Sequence, residues 1–380
     1  MPQRWDIFCS VVDNFGDIGV CWRLARRLSS GLGRQVRMWV DDLRSFQRLC
    51  GRVDPTQASQ VVDGVEVMQW GMAFPHVEAA DIVIEGFGVK LPDLYVEAML
   101  RRQPAPVWIN LEHLSAETWV DGHHGLPSPH PRLPLTKYFF FPGFTAATGG
   151  VLIEDGLLAT RAAFQADAGA RHTFRQTIGI APRDDDALWI SLFCYDNAAL
   201  LELVAAWAAD PRGVSCVVPE GPALSQLARI AGRRIAPGRR LQIGGLSVHA
   251  IPFLDLDQYD RLLWSCDLNL VRGEDSFVRA QLAARPLIWQ AYPQDEDAHL
   301  KKADAFRQRY CEGWAPADAA AYGGLFDAWN RQAADAGAYW PTVSGRVTAW
   351  ADHAEKWAGR LAGIGDLASN LAKFCEDRLK

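Results

Sequence analysis

The feature that most limits the folds open to this chain is a rhythm. Short apolar runs each end in a turn, and each turn leads into a helical pattern. The run 7–12 reads as a buried strand. It empties into Asp13, Asn14, Phe15, Gly16 and Asp17, and a helix is expected over 18–30. Strands follow at 36–40, 65–70, 81–85, 107–111 and 138–141, with a helix over 92–102 that has Pro near its start. A second series begins at 188–193. It continues with strands at 215–219, 248–253, 268–271 and 287–289 and helices at 197–209, 223–232, 257–266 and from 274. Asn197 and Asp257 stand where caps belong. The strands are rich in Val, Ile and Trp with little alternation, as in parallel sheets covered on both faces.

Two successive series, each of about 150 residues, imply an α/β protein of two Rossmann-like, doubly wound domains facing a central cleft. That architecture fits the GT-B type of nucleotide-sugar glycosyltransferase, although a fold alone does not prove an activity. The expected division is 1–155, 156–340 and a helical tail over 341–380. The stretch 122–134, rich in Pro, His and Gly, reads as a long ordered loop.

Composition excludes several classes. A net charge of −6 does not mark a nucleic-acid binder. The start of the chain is not a signal peptide, and no apolar run is long enough to span a bilayer. The eight Cys lack any C-x-x-C pair and read as small buried hydrophobes of a reduced, cytoplasmic protein. The fifteen Trp read as packing residues.

Three segments can carry chemistry. Asp13 and Asp17 sit in the first strand-to-helix turn, where open α/β sheets gather ligands. Turn and cap roles are the bland reading of the same pair. Arg272, Gly273, Glu274, Asp275 and Ser276 again follow a strand and open a helix. Free backbone N–H groups beside an Arg make a natural diphosphate site there. Phe193, Tyr195 and Phe253 follow strands of the second series and offer ring faces to a nucleobase. The pair Asp255 and Asp257 has the D-x-D form of metal-dependent transferases, and 184–186 and 295–297 are acidic. Capping and solvated turns account for them, and the nine His, including adjacent His123 and His124, show no zinc spacing, so no metal is expected. No G-x-S-x-G, Walker A or G-x-G-x-x-G motif is present.

With those segments on the page, the chain resembles the elongation factor P arginine rhamnosyltransferases, the EarP family. The resemblance rests on residues 13–20, 110–117, 124–129, 140–144 and 272–277, in order, and spans 13 to about 294. It implies a cytoplasmic bacterial enzyme with no resident cofactor. Such an enzyme moves rhamnose from dTDP-β-L-rhamnose to one arginine of elongation factor P, with inversion and without metal. It further implies that Asp17 is the base or guanidinium-orienting carboxylate, with Asp13 beside it, and that Glu274 is a second essential acid. Arg272, Asp275 and Ser276 would hold the diphosphate. Phe193 and Phe253 would stack on thymine, with Tyr195 close to the donor, and Asn14, Phe15, Gly16 and Gln258 are further candidates for substrate contact. The chain departs from the family pattern in two places. Leu256 stands where the family often has Gln, with Gln258 two residues on, and His113 stands where Tyr is expected. Other readings of the same fold are a sugar transferase with a different acceptor, a nucleotide-sugar epimerase, or a non-catalytic module that docks a translation factor.

Overall fold

The computed structural model describes residues 3–11, 15–181 and 186–379. It divides into two units, Met1–Asp155 together with Leu361–Lys380, and Gly156–Arg360. No helix among the described residues is long and apolar enough to cross a membrane.

The first unit contains β1 (Arg4–Cys9), α1 (Gly16–Arg26), β2 (Gln35–Val40), α2 (Leu43–Leu49), β3 (Ser59–Val62) and β4 (Val65–Gln69). It continues with β5 (Ile82–Gly86), α3 (Asp93–Leu100), β6 (Val107–Leu111), α4 (Trp119–His123), β7 (Pro127–Pro129) and β8 (Thr136–Phe140). The strand order is β3-β4-β2-β1-β5-β6-β8-β7. β1 pairs in parallel with β2 on one side and β5 on the other. The chain thus winds outward from β1 in one direction, then returns to wind in the other. The order reverses between β1 and β5, the position at which open α/β sheets bind ligands. Every residue of β5 and β6 is buried, because helices cover both faces. The sheet is mixed: β3 and β7 pair antiparallel at its edges. The Pro-rich stretch read as a loop therefore contains an edge strand, a place where Pro is tolerated.

The buried carboxylates inside these strands are paired. Arg37 donates to both oxygens of Asp6 at 2.9 and 2.6 Å, and the Tyr95 hydroxyl also donates to Asp6. Lys137 reaches buried Glu85 at 2.7 Å. Phe8 stacks on Trp39 at 5.7 Å within an apolar cluster that includes Phe74 and Tyr95. β1 stops at Cys9, short of the expected end. Beyond it Asp41 accepts from the Val11 N–H at 2.9 Å and from the Ser10 hydroxyl.

The second unit begins with α5 (Leu157–Ala166), α6 (Ala168–Thr177), β9 (Leu188–Leu192), α7 (Leu200–Ala209), β10 (Val214–Pro219) and α8 (Pro222–Ile230). Then come β11 (Arg240–Ile243), β12 (Leu246–Ile251), α9 (Leu256–Ser265), β13 (Leu268–Arg272), α10 (Asp275–Leu282) and β14 (Leu287–Gln290). Its helical end is α11 (Ala298–Tyr310), α12 (Pro316–Asn330) and most of α13 (Trp340–Ile364). The order β11-β12-β10-β9-β13-β14 reverses between β9 and β13. Only β11 is antiparallel. Ser191 and Asn269, both fully buried, join these two central strands through a 2.6 Å hydrogen bond. Two expected caps are corrected. Asn197 precedes the helix and accepts from the Ala199 N–H at 3.0 Å while donating to Trp329 O at 2.9 Å; the cap of α7 is Ala199. Asp255, not Asp257, caps α9 by accepting from the Gln258 N–H at 2.8 Å. All eight cysteines are free thiols, and only Cys311 is not buried.

The segment read as a helical tail does not stay together. The division falls within α13, and α14 (Leu367–Glu376) belongs to the first unit. Arg27 explains how it is held. α1 ends at Arg26, before the expected end of that helix, and a wider π turn, Arg27–Gly31, follows. Arg27 Nε donates to Asp366 at 3.0 Å, and its Nη1 reaches Asp155. Asp366 also caps α14 through Ser369 N at 3.1 Å and accepts from Ile153 N at 3.0 Å. Phe374 of α14 packs edge-on to Phe140 at 5.4 Å. The Arg27 and Asp366 side chains are only 9% and 12% exposed. Removing one partner of a buried pair costs about 3–5 kcal/mol. Asp366→Ala is therefore expected to lower stability by about that amount in urea unfolding. In limited proteolysis it should expose the chain after residue 360 before the rest.

Candidate functional site

The site-bearing residues fall at the strand reversals of the two units. In the first unit, Phe15 is the N-cap of α1 and makes no side-chain capping bond; the Arg48 guanidinium lies 5.3 Å from its ring centroid. Gly16 and Asp17 open the helix. The Asp17 side chain is 12% exposed, and His113 Nε2 lies 3.2 Å from its Oδ1. Asp17 is therefore a first-turn carboxylate with a defined partner rather than a cap. Asp13 and Asn14 lie outside the described residues, as do Asp184 and Asp185. Cys9, at the end of β1, is a buried free thiol. A hydrogen bond with Cys21, burial, and the nearby Asp17 charge push its thiol well above the ordinary range.

In the second unit, Phe193 and Tyr195 follow β9, and Arg272 ends β13, its neighbour across the reversal. The Arg272 guanidinium sits 4.7 Å from the Phe193 ring centroid and 4.2 Å from that of Tyr195. It is only 6% exposed, and no carboxylate among the described residues forms an ion pair with it. The Tyr195 N–H donates to Gln290 Oε1 at 2.9 Å, and Tyr292 meets the Tyr195 ring edge-on at 5.4 Å. Phe193 packs edge-on to Tyr259, whose phenol is pushed up by burial and then by the charge of Asp275. Burial likewise pushes the Cys194 thiol up to about 12.

The turn between β13 and α10 is tight. Gly273 has a left-handed φ of 68°, and its carbonyl accepts from Trp289 Nε1 at 3.0 Å. Glu274 is the N-cap residue of α10, and Lys302 of α11 reaches its Oε1 at 3.0 Å. Asp275 and Ser276 are each 6% exposed in the first turn, and the Ser276 hydroxyl donates to Arg272 O.

Arg272, Phe193, Tyr195, Glu274, Asp275 and Ser276 are thus gathered at one reversal. Phe253 is half-buried after β12. Leu256 is buried at the start of α9, and Gln258 is exposed one helical step beyond it. No cluster of metal-ligating side chains occurs among the described residues. Four partners escaped the sequence reading: Phe87, Lys302, Gln290 and Tyr292. Phe87, between Gly86 and Gly88 just after a buried strand, carried a turn signal; Lys302 carried none.

A positively charged side chain beside a helix N-terminus, with ring faces nearby, suits a nucleoside diphosphate chemically. Gly273→Ala should cost about 1–2 kcal/mol, because a Cβ is strained at that φ. Urea unfolding measures it, and a wild-type midpoint would contradict the turn geometry.

Comparison with known proteins follows the same line. The family model described as Elongation-Factor P (EF-P) rhamnosyltransferase EarP matches residues 5–376. A protein-arginine rhamnosyltransferase of Pseudomonas putida is 47% identical over 380 residues, covering 100% of both chains. That of Shewanella oneidensis is 38% identical, covering 98% of this chain and 97% of its own. A solved structure from work on the structural basis for EarP-mediated arginine glycosylation of translation elongation factor EF-P aligns with a TM-score of 0.70. It is 35% identical and covers 99% of both chains. The spinosyn forosaminyltransferase SpnP aligns at a TM-score of 0.51 and 9% identity over 100% of both chains, a likeness of fold alone. The fold class is α/β of the GT-B type.

Proposed function

This chain belongs to the EarP family of elongation factor P rhamnosyltransferases, and from that premise we propose that it transfers rhamnose from dTDP-β-L-rhamnose to one arginine of elongation factor P, inverting the anomeric centre and using no metal. The observation that carries the reading is Arg272. A buried guanidinium without a carboxylate partner is costly unless an anion meets it. The diphosphate of the donor supplies that anion, and the first-turn N–H groups of α10 add donors. The rings of Phe193 and Phe253 take the thymine, with Tyr195 between base and phosphate. Glu274 stands beside the sugar, held in place by Lys302.

The acceptor poses a different problem. A guanidinium has a pKa above about 12 and is a poor nucleophile as the cation. A carboxylate that receives two of its N–H groups orients it and concentrates the positive charge away from the attacking nitrogen. Asp17 takes that role, with Asp13 beside it, and accepts the proton as the C–N bond forms. The glycosidic C–O bond breaks as dTDP leaves, and its growing negative charge is stabilised by Arg272 and the α10 N-terminus. One displacement inverts the carbon and needs no protein nucleophile. The raised Cys9 and Cys194 thiols are in keeping with that. Work inside the cell on a translation factor also suits a cytoplasmic protein.

Intact mass of elongation factor P, measured after incubation with this protein and dTDP-β-L-rhamnose, should rise by one deoxyhexose on a single arginine. Asp17→Asn should cut transfer at least about a hundredfold while dTDP binding, followed by calorimetry, persists. Arg272→Lys should weaken dTDP binding about tenfold, since a point charge replaces a planar fork. An unchanged mass, or normal transfer by Asp17→Asn, sinks the reading.

A further inference from the structure

Phe87 lies just beyond β5, across the strand reversal from β1, with a φ of 58°. That left-handed conformation is rare for a bulky side chain and persists only where its surroundings hold it. Its N–H donates to Leu111 O at 2.8 Å, which ties it to the end of β6. Its ring lies flat on His113, with centroids 4.4 Å apart and planes 16° from parallel. His113 in turn directs Nε2 at Asp17 Oδ1, 3.2 Å away. A carboxylate only accepts, so Nε2 carries the hydrogen. A chain of contacts thus runs from Phe87 after β5 through His113 after β6 to one carboxylate oxygen of Asp17.

We propose that His113, held flat by Phe87, is a positioning residue that fixes the Asp17 carboxylate and leaves Oδ2 for the acceptor guanidinium. The inference rests on the role assigned to Asp17 above. A carboxylate that swings out of place misaligns the planar group it holds, and misplacement of that kind is expensive in rate. The imidazole N–H occupies Oδ1 and sets the plane in which Oδ2 presents its lone pairs. Phe87 sets the plane of the imidazole. A tyrosine ring could occupy the same stack with a donor at its tip.

The test separates the N–H from the ring. His113→Phe keeps the stack and deletes the donor; kcat should fall about tenfold or more while KM for donor and acceptor stays within about twofold. Its unfolding midpoint should match wild type, and His113→Tyr, which restores ring and donor together, should recover most of kcat. Phe87→Ala leaves His113 and Asp17 intact and should lower kcat in the same direction, a second route should His113→Phe fail to fold. Wild-type kcat in His113→Phe overturns the proposal, as does a loss that only tracks lowered stability or that His113→Tyr does not relieve. Failure of the wild-type protein to modify elongation factor P at all defeats instead the functional reading on which the proposal stands.

Discussion

A strand buried on both faces can be followed only by a crossover that covers it, and parallel crossovers all run one way. Their helices leave from the carboxyl ends of the strands, so the turns collect at one edge of the sheet. Where the winding reverses, two neighbouring crossovers go to opposite faces and leave a crevice between them. Both units obey this constraint. Asp17 and Phe87 flank the reversal between β1 and β5, while Phe193, Tyr195 and Arg272 flank that between β9 and β13. These residues occupy positions that the topology sets apart.

The two reversals carry opposite electrostatic characters. In the second unit a guanidinium is sheltered by ring faces, which supply a favourable quadrupole but no charge. Glu274 of the same turn is engaged by Lys302. In the first unit a carboxylate is held by an imidazole N–H at the opening of a helix. Fields of opposite sign sort a negatively charged ligand from a positively charged one before any contact specific to either is made.

Much of this was legible in the residue order because it depends on local periodicity. The central strands are near-continuous apolar runs, and those at 107–111 and 188–192 lie where the pattern puts them. Arg272 through Ser276 were legible because strand, turn and helix start are contiguous. What the sequence hid is long-range. Asp41, ending one strand, holds the backbone beyond another, and Lys302 meets Glu274 from a helix two elements away. The caps failed for a related reason. Asn197 and Asp257 both have cap chemistry, but tertiary bonds from Trp329 and the phase of α9 decided which residue served. The departure at His113 was visible as a letter. Its meaning required Phe87, whose left-handed backbone no propensity predicts.

The union of Arg27 with Asp366 bears on how such a molecule is made. The two residues are 339 positions apart, so the first unit to emerge from a ribosome lacks the helix and carboxylate that complete it. At about 5–20 residues per second, roughly half a minute passes before the missing piece is synthesised. During that interval Arg27 is without its deepest counter-ion and the Phe140 edge is without Phe374. The second unit, by contrast, is continuous in the chain. The amino-terminal sheet can be completed only once the carboxyl-terminal helix has been made. A chain cut short anywhere before α14 leaves an unfinished amino-terminal half, which quality-control proteases recognise by its exposed apolar surface.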